Sequence, residues 1–383
     1  MKAPDPQAAL SKLNGSLLDG LYGKSLLITQ DWSADEIGAL CELAEAFQAL
    51  DFAGVKTPLF PHELNWALFF DASTRTKSSW AGAAARLGSQ PVIVDGSSTQ
   101  VSHGETAEET GAMLGMNAHA MGIRHDLILG EGNRFMRDAK RGIDDYLKAT
   151  GDPRAVPMVN LQCDIDHPTQ SLADLLWLRE RFPGGVAGKT IAVSWAYSPS
   201  YAKPLSVPQG LIMLLTRFGM NVRLAHPPGY SLMQECVAHA EQNATASGGS
   251  FQIMSDMDSA FAGADIVYPK SWGPYDLMLE RVAANKAKDT EGLKAIEAKA
   301  LQRNAQHKDW IYDERRQALT AAGNALYMHC LPADIGAEVS PGIMNKFKVE
   351  VAREANKKVF AIMALLAAAK RRDLPQALKA YVS

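Results

Sequence analysis

The stretch Phe69-Phe70-Asp71-Ala72-Ser73-Thr74-Arg75-Thr76-Lys77 runs from an apolar strand signal, through hydroxyl residues, into a helical segment that Gly88 closes. A strand that stops where a helix starts is the βα unit of a parallel sheet. The junction also has a chemistry. Free N–H groups at a helix N-terminus, with the helix dipole behind them, suit an anion such as phosphate. Ser73, Thr74 and Thr76 add hydroxyl donors, and Arg75 adds a fixed cationic fork. Simple N-capping by Ser73 or Thr74 is the plainer reading, but capping does not require Arg75 in the same turn.

Outward from this junction the same alternation continues. Strands are expected at Trp66–Phe70, Val92–Val94, Ala120–Ile123 and Pro157–Leu161, then at Thr190–Trp195, Val222–Ala225, Phe251–Met254, Asp265–Tyr268 and Ala325–His329. Helices are expected at Thr76–Leu87, Thr106–Met116, Pro208–Phe218, Leu232–Asn243 and Asp256–Ala262. A helix over Thr169–Phe182, ended by Pro183-Gly184-Gly185, marks the boundary, and a closing helix, Val351–Lys370, returns to the first half. The pattern predicts an α/β chain of two doubly wound parallel-sheet domains joined by interdomain helices: residues 1–168 with 351–383, and residues 183–350. The polar stretches Asp126–Arg154 and Asn285–Lys308 read as solvated helical surface.

The 383 residues, 47% hydrophobic, suffice for two cores. A formal net charge of −3 argues against a general nucleic-acid binder. No apolar run reaches the ~18 residues of a membrane span, the greasiest being Ala361–Ala369. Met1–Gln7 lacks the pattern of a secretory signal. The four scattered cysteines predict reduced thiols and a cytoplasmic protein.

Further segments carry a resemblance. Ser73-Thr74-Arg75-Thr76, Arg124 at a strand end, His167-Pro168-Thr169-Gln170 with Leu172-Ala173-Asp174, and His329-Cys330-Leu331-Pro332 resemble, in order, motifs of the aspartate and ornithine carbamoyltransferases. The resemblance implies a metal-free, cofactor-free transfer from carbamoyl phosphate to a nitrogen. Charge develops on the carbonyl oxygen, and the protein positions the reactants and stabilises it. It further implies that Ser73, Thr74, Arg75 and Thr76 hold phosphate, that Arg124 and His167 face the carbonyl oxygen, and that Gln170 accepts from the carbamoyl NH2. Cys330 would line the pocket and the Leu331 carbonyl would meet the carbamoyl nitrogen. Where the family carries Asn-Arg in the closing helix, Asn356-Lys357 stands here. Lys357 would keep the charge toward phosphate but lose the bidentate fork.

For the second substrate, the segment Ser194–Leu205 resembles the proline-rich loop of the N-acetylornithine and N-succinylornithine enzymes, where a later stretch threads a trefoil-type knot. Here that stretch would be Tyr268-Pro269-Lys270-Ser271-Trp272-Gly273-Pro274-Tyr275. Lys270 stands near an acidic position of the ornithine enzymes, which favours an anionic acceptor over free ornithine; a solvent-facing Lys270 is the plain alternative. The segments Gln162–Gln170, Trp195–Gln209, His226-Pro227, Gln306–Trp310 and Tyr327–Asp334 resemble a branch of unassigned acceptor. That branch is associated with purine or ureide breakdown, which implies a reaction running toward carbamoyl phosphate. The loop Gly96–Thr106 resembles one that reaches a neighbouring subunit's site, implying a homotrimer with shared sites to which Gln100 and His103 contribute. A plain loop entering a helix is the simpler account.

Other readings are weaker or remain open. Gly185–Thr190 lacks the first glycine of a Walker loop, no strand-GxGxxG-helix unit occurs, and His103-Gly104-Glu105 has no PCxxC partner for zinc. An N-acylornithine carbamoyltransferase, and a carbamoyl-phosphate-binding protein without turnover, both fit the same motifs.

Overall fold

The computed structural model describes residues 5–200 and 203–382. All nine expected strands form. β1 (Leu64–Phe69), β2 (Gln90–Asp95), β3 (Ala120–His125) and β4 (Met158–Cys163) make one parallel sheet in the order β2-β1-β3-β4. β5 (Thr190–Ser194), β6 (Asn221–Ala225), β7 (Ser250–Met254), β8 (Ile266–Pro269) and β9 (Leu326–Tyr327) make a second, β7-β6-β5-β8-β9. In each sheet the order reverses once, at β1/β3 and at β5/β8. Open α/β sheets bind ligands outside the strand carboxyl ends at such a switch point.

The differences from the sequence reading have physical causes. A buried helix over Ala34–Phe52, started by a Ser33–Glu36 capping box, went unexpected. Its apolar residues (Ile37, Ala39, Leu40, Leu43, Ala46, Phe47) surround most of its circumference, so no 3.6-residue stripe marks it. The polar stretch after β3 does form a helix, Gly132–Thr150, but it buries Met136, Ala139, Ile143 and Leu147 on one face. The closing helix spans Pro341–Lys370, beginning ten residues before the expected start behind a Ser340 cap. At 1.5 Å per residue its 30 residues run about 45 Å, and it packs on the Ala34–Phe52, Arg75–Arg86 and Pro168–Arg181 helices. β9 pairs only through Leu326 and Tyr327, so His329 and Cys330 leave the ladder and belong to the loop beyond it.

Two details set the first switch point. The β3–β4 register jumps, with Ile123 opposite Asn160 but Arg124 opposite Gln162. This bulge re-aims the strand end that carries Arg124. The loop into His167 is clamped: Asp166 accepts from the Thr29 backbone N–H and hydroxyl at 2.7 Å each, and Gln209 donates to the Asp164 and Ile165 carbonyls at 3.1 and 2.8 Å. A Cβ at Gly210 would lie 2.3 Å from Asp166 Oδ1, so only glycine lets that helix approach so closely. Among the described residues no helix is long and apolar enough to cross a membrane.

Candidate active site

The Arg75–Arg86 helix starts at the end of β1. Its N-cap residue Thr74 has helical dihedrals and makes no side-chain cap bond, and the first backbone N–H of the turn to find a carbonyl is that of Ser78, on Thr74. The hydroxyls of Ser73 and Thr74 are therefore not spent on capping. Thr76 is buried, and its Oγ1 lies 3.4 Å from the Lys358 ammonium.

Arg75 reaches across to the second half of the chain and donates to the Leu331 carbonyl. Leu331, whose carbonyl the sequence reading gave to the carbamoyl nitrogen, therefore lies against Arg75. Its oxygen already holds the guanidinium, with a second lone pair left over. Arg124 lies in the same field. One guanidinium nitrogen is 2.7 Å from Asp126, itself buried, and its Nε has no partner among the described residues. His167 closes the group, with Nδ1 3.3 Å from Thr169 Oγ1 and Nε2 3.3 Å from Lys358. Burial first, then the charges of Lys358, Arg124 and Arg75, hold His167 well below its usual range, so it is a neutral imidazole. Burial also pushes Lys358 down to about 7, with Arg124 and Arg75 adding to the effect. Cys330 is buried beside them, its thiol raised by burial. Gln170 donates from Nε2 to Asp174 at 2.6 Å.

The cluster thus gathers three basic side chains, of which only Arg124 is ion-paired among the described residues, at the uncapped start of a helix. Such a site favours a compact multivalent anion.

Lys357 is the correction. The sequence reading sent it toward phosphate, but its ammonium is bound by Gln48 at 2.6 Å and by Glu180. It lines a separate cavity of about 710 Å³ with Glu45, Arg179 and Arg353. Successive helical residues point about 100° apart, so when Lys357 turns to Glu180 it is Lys358 that faces Thr76 and His167. The doubled lysine was the available signal, and motif alignment selected the wrong member.

The second-substrate residues separate into three groups. Lys270 is buried and neither faces solvent nor stands as a free charge: it donates to the Ser271 carbonyl at 2.6 Å and lies 3.8 Å from Glu338. Glu338 also accepts from the backbone N–H groups of Ser271 and Asp334, at 2.6 and 2.8 Å, and pairs with Lys203 at 3.2 Å. Burial pushes the Glu338 carboxyl up, but Lys270, His329 and Lys203 outweigh it and hold it well below the carboxylate range. Ser271 Oγ is buried without a partner among the described residues. Trp272 is core instead of pocket wall: its indole donates to Tyr230 at 2.8 Å and its carbonyl accepts from Trp195 at 2.9 Å. Gln100 and His103 lie exposed on a short 3-10 turn. In the Ser194–Leu205 loop, Tyr201 and Ala202 lie outside the described residues. Sequence reasoning missed Lys358, the neighbour of the lysine it chose, and Glu338 and Glu354, which sit in no recognisable local motif. Among the described residues no group of acidic, histidine or cysteine side chains is placed to hold a metal ion.

Comparison with known proteins points to one family. Residues 24–180 match the model of the aspartate/ornithine carbamoyltransferase carbamoyl-P binding domain, and residues 205–369 match that of the Asp/Orn binding domain. The chain is 48% identical over 363 residues, 93% of its length and 92% of the relative's, to the Escherichia coli (strain K12) protein named "Putative carbamoyltransferase YgeW". It is 31% identical to an N-acetylornithine carbamoyltransferase of Xanthomonas axonopodis, over 90% of this chain and 96% of that one. Among solved structures it resembles ornithine carbamoyltransferase from Pyrococcus furiosus, with a TM-score of 0.73, 26% identity and coverage of 91% and 98%. It resembles equally an N-acetyl-L-ornithine transcarbamylase mutant complexed with carbamyl phosphate and N-succinyl-L-norvaline, with a TM-score of 0.73, 27% identity and coverage of 90% and 99%.

Proposed function

Because the chain belongs to the aspartate/ornithine carbamoyltransferase family, we propose that its cationic cluster binds carbamoyl phosphate and passes the carbamoyl group to or from the nitrogen of a small amino or ureido compound. The observation that carries this reading is the convergence of Arg75, Arg124 and Lys358 on the uncapped start of the Arg75–Arg86 helix.

The acceptor nitrogen attacks the carbamoyl carbon, charge gathers on the carbonyl oxygen, and the bond to the phosphate oxygen breaks while the nitrogen loses a proton. Ser73, Thr74, Arg75 and Thr76 hold the phosphate, with Lys358 in the role expected of Lys357. Arg124 and neutral His167 face the carbonyl oxygen, whose developing charge such donors stabilise. Gln170 Oε1 and the Leu331 carbonyl accept from the carbamoyl NH2, and Cys330 packs beside them.

The acceptor side is built from Lys270, Ser271, Lys203 and Glu338. Lys270 and Lys203 face Glu338 there, and Lys203 also pairs with Asp334; with Lys270 standing near an acidic position of the ornithine enzymes, an acceptor carrying its own carboxylate fits better than free ornithine. An arrangement used for ureide breakdown runs in reverse, phosphate attacking the ureido carbon to release carbamoyl phosphate. A second reading, transfer to an N-acylated ornithine, draws on the likeness to the N-acetylornithine enzyme. A purely binding role loses its main support, since Lys358 supplies the cation that Lys357 does not.

We assign carbamoyl phosphate to residues 1–168 with 351–383 and the acceptor to residues 183–350. The assembly is a cytoplasmic homotrimer in which Gln100 and His103 complete a neighbour's site. The bond from Gly273 N–H to the Lys203 carbonyl, at 2.9 Å, and the Trp195–Trp272 bond support a knot by tying the two loops together.

The test is calorimetric titration of carbamoyl phosphate into wild type and Arg75→Ala, followed by a screen of ornithine, N-acetylornithine, N-succinylornithine and ureido acids with phosphate. Binding lost in Arg75→Ala supports the site. A folded wild type that does not bind refutes it, and robust turnover of ornithine refutes the acceptor assignment.

A further inference from the structure

Behind Gln170 lie two fully buried carboxyls from different helices, Asp174 of the Pro168–Arg181 helix and Glu354 of the closing helix. Each carboxyl lies within interaction range of the other. Two carboxylates cannot bond without a proton between them. The donors around them locate it. Asp174 accepts from Gln170 Nε2 at 2.6 Å on one oxygen and from the Tyr268 hydroxyl at 3.3 Å on the other, so it is satisfied as the ionised member. Glu354 accepts from the His329 backbone N–H at 3.2 Å through Oε2, while its Oε1 is buried with no donor among the described residues. A proton on Glu354, donated to Asp174, removes that deficit. Burial, the leading cause for both groups, pushes Asp174 up to about 6 and Glu354 well above its usual range, in the same order.

The consequence falls on Gln170. An amide side chain can present either its oxygen or its NH2 to a ligand, and what lies behind it decides which. With an acceptor-only carboxylate at 2.6 Å behind it, Gln170 must turn its NH2 to Asp174 and its oxygen the other way. No described residue donates to that oxygen. Glu354 and Lys358 are four residues apart on one face of the closing helix, so the helix that supplies the cation near Thr76 also supplies the proton that keeps Asp174 in its accepting role.

We propose that Asp174 and Glu354 are a positioning pair, sharing one proton, which fixes the Gln170 amide with its oxygen toward the carbamoyl NH2 and so lets the site distinguish carbamoyl phosphate from inorganic phosphate. This rests on the proposed function, and deepens it by naming what reads the carbamoyl end.

The test compares carbamoyl phosphate and inorganic phosphate as titrants for wild type, Asp174→Asn, Glu354→Gln and Glu354→Ala. Asp174→Asn, able to present an NH2 to Gln170, should weaken carbamoyl phosphate about tenfold, which is the ~1.4 kcal/mol of one hydrogen bond, and leave phosphate within twofold. Glu354→Ala should follow the same pattern, and Glu354→Gln, which keeps a donor to Asp174, should restore carbamoyl phosphate affinity. A protonated-carboxyl infrared band present in wild type should vanish in Glu354→Gln, a readout that does not depend on Asp174→Asn folding. Equal losses for both titrants, unchanged affinity in Asp174→Asn, or no band lost from Glu354→Gln would overturn the pair's role. Phosphate binding without carbamoyl phosphate binding by wild type would instead overturn the reading of the site, and the pair's role with it.

Discussion

Replacing Lys358 by Met, beside a matched Lys357→Met variant, separates the two neighbouring lysines. Lys358 lies within 3.4 Å of Thr76 Oγ1 and 3.3 Å of His167 Nε2, without a carboxylate partner among the described residues. A bound phosphate dianion would complete it. A charge-assisted hydrogen bond contributes about 1.5–3 kcal/mol, so Lys358→Met should weaken carbamoyl phosphate by roughly 10- to 150-fold. Lys357 is spent on Gln48 and Glu180. Its loss should leave affinity within about twofold and cost about 1–3 kcal/mol of stability.

Protonation sharpens the distinction. In the free protein Lys358 is pushed down to about 7 by burial, so near pH 7 about half the molecules carry it neutral. A dianion raises its pKa in the complex, which therefore holds more protons than the free protein. The Lys358 contribution to affinity is then level below pH 7 and falls as pH rises above it. On the acid side the phosphoryl group itself gains a proton, at or below the pH ~6 of ordinary phosphate esters, which puts the optimum between the two. Binding at pH 7 should take up about half a proton, measured by calorimetry in buffers of different ionisation heat, and Lys358→Met should abolish the uptake. In the ligand-free protein the folded state binds fewer protons than the unfolded state between pH 7 and the ordinary lysine value. Burying Lys358 is therefore a penalty at neutral pH, and Lys358→Met should raise the unfolding temperature while weakening the ligand. Normal binding by Lys358→Met, with loss in Lys357→Met, would refute the register of the closing helix.

Three further outcomes follow from the geometry. Ser73→Ala with Thr74→Ala should cost under about 0.5 kcal/mol in urea unfolding, below the ~1 kcal/mol of a working N-cap, because neither hydroxyl caps the helix; carbamoyl phosphate affinity should still fall. Glu338→Gln leaves Lys270 and Lys203 short of their shared partner and should destabilise the fold by about 3–5 kcal/mol at pH 7. Since the folded Glu338 pKa is depressed, the wild-type contribution is fully present above the unfolded value near 4.5 and is lost progressively as pH falls from there through the folded value, so unfolding curves at pH 7 and 4 should show only the first part of that loss. Mixing Arg75→Ala with His103→Ala chains should regain activity if His103 serves a neighbour's site, and mixed samples as inactive as their parents would refute the shared site.

The parts of the site that sequence reasoning located are those fixed by chain direction. A strand that ends in Phe69-Phe70 and hands over to Ser73–Thr76 has one way to present its N–H groups. His167 and Gln170, three apart at a helix start, have one face to share. The parts it misplaced depend on rotation, register or a distant partner. Lys357 and Lys358 differ by about 100° about the helix axis, and Glu180 and Gln48 decide between them. Arg124 is aimed by a bulge opposite Gln162, and parallel pairing leaves no mark of such a skip in either strand. Lys270 reads as a free charge until Glu338, 68 residues away, is folded beneath it. Glu354 lies outside every motif quoted for the family, yet it lies within interaction range of Asp174, which closes one of them. Local patterning encodes where the phosphate end of a ligand can sit, because backbone direction does that work. The identity of the cation beside it, and the partner behind the Asp174 carboxyl that Gln170 meets, are set by how the closing helix is rotated. On that helix, substitution of Glu354 should therefore change what the site recognises, whereas substitution of Lys358 should change how tightly it holds phosphate.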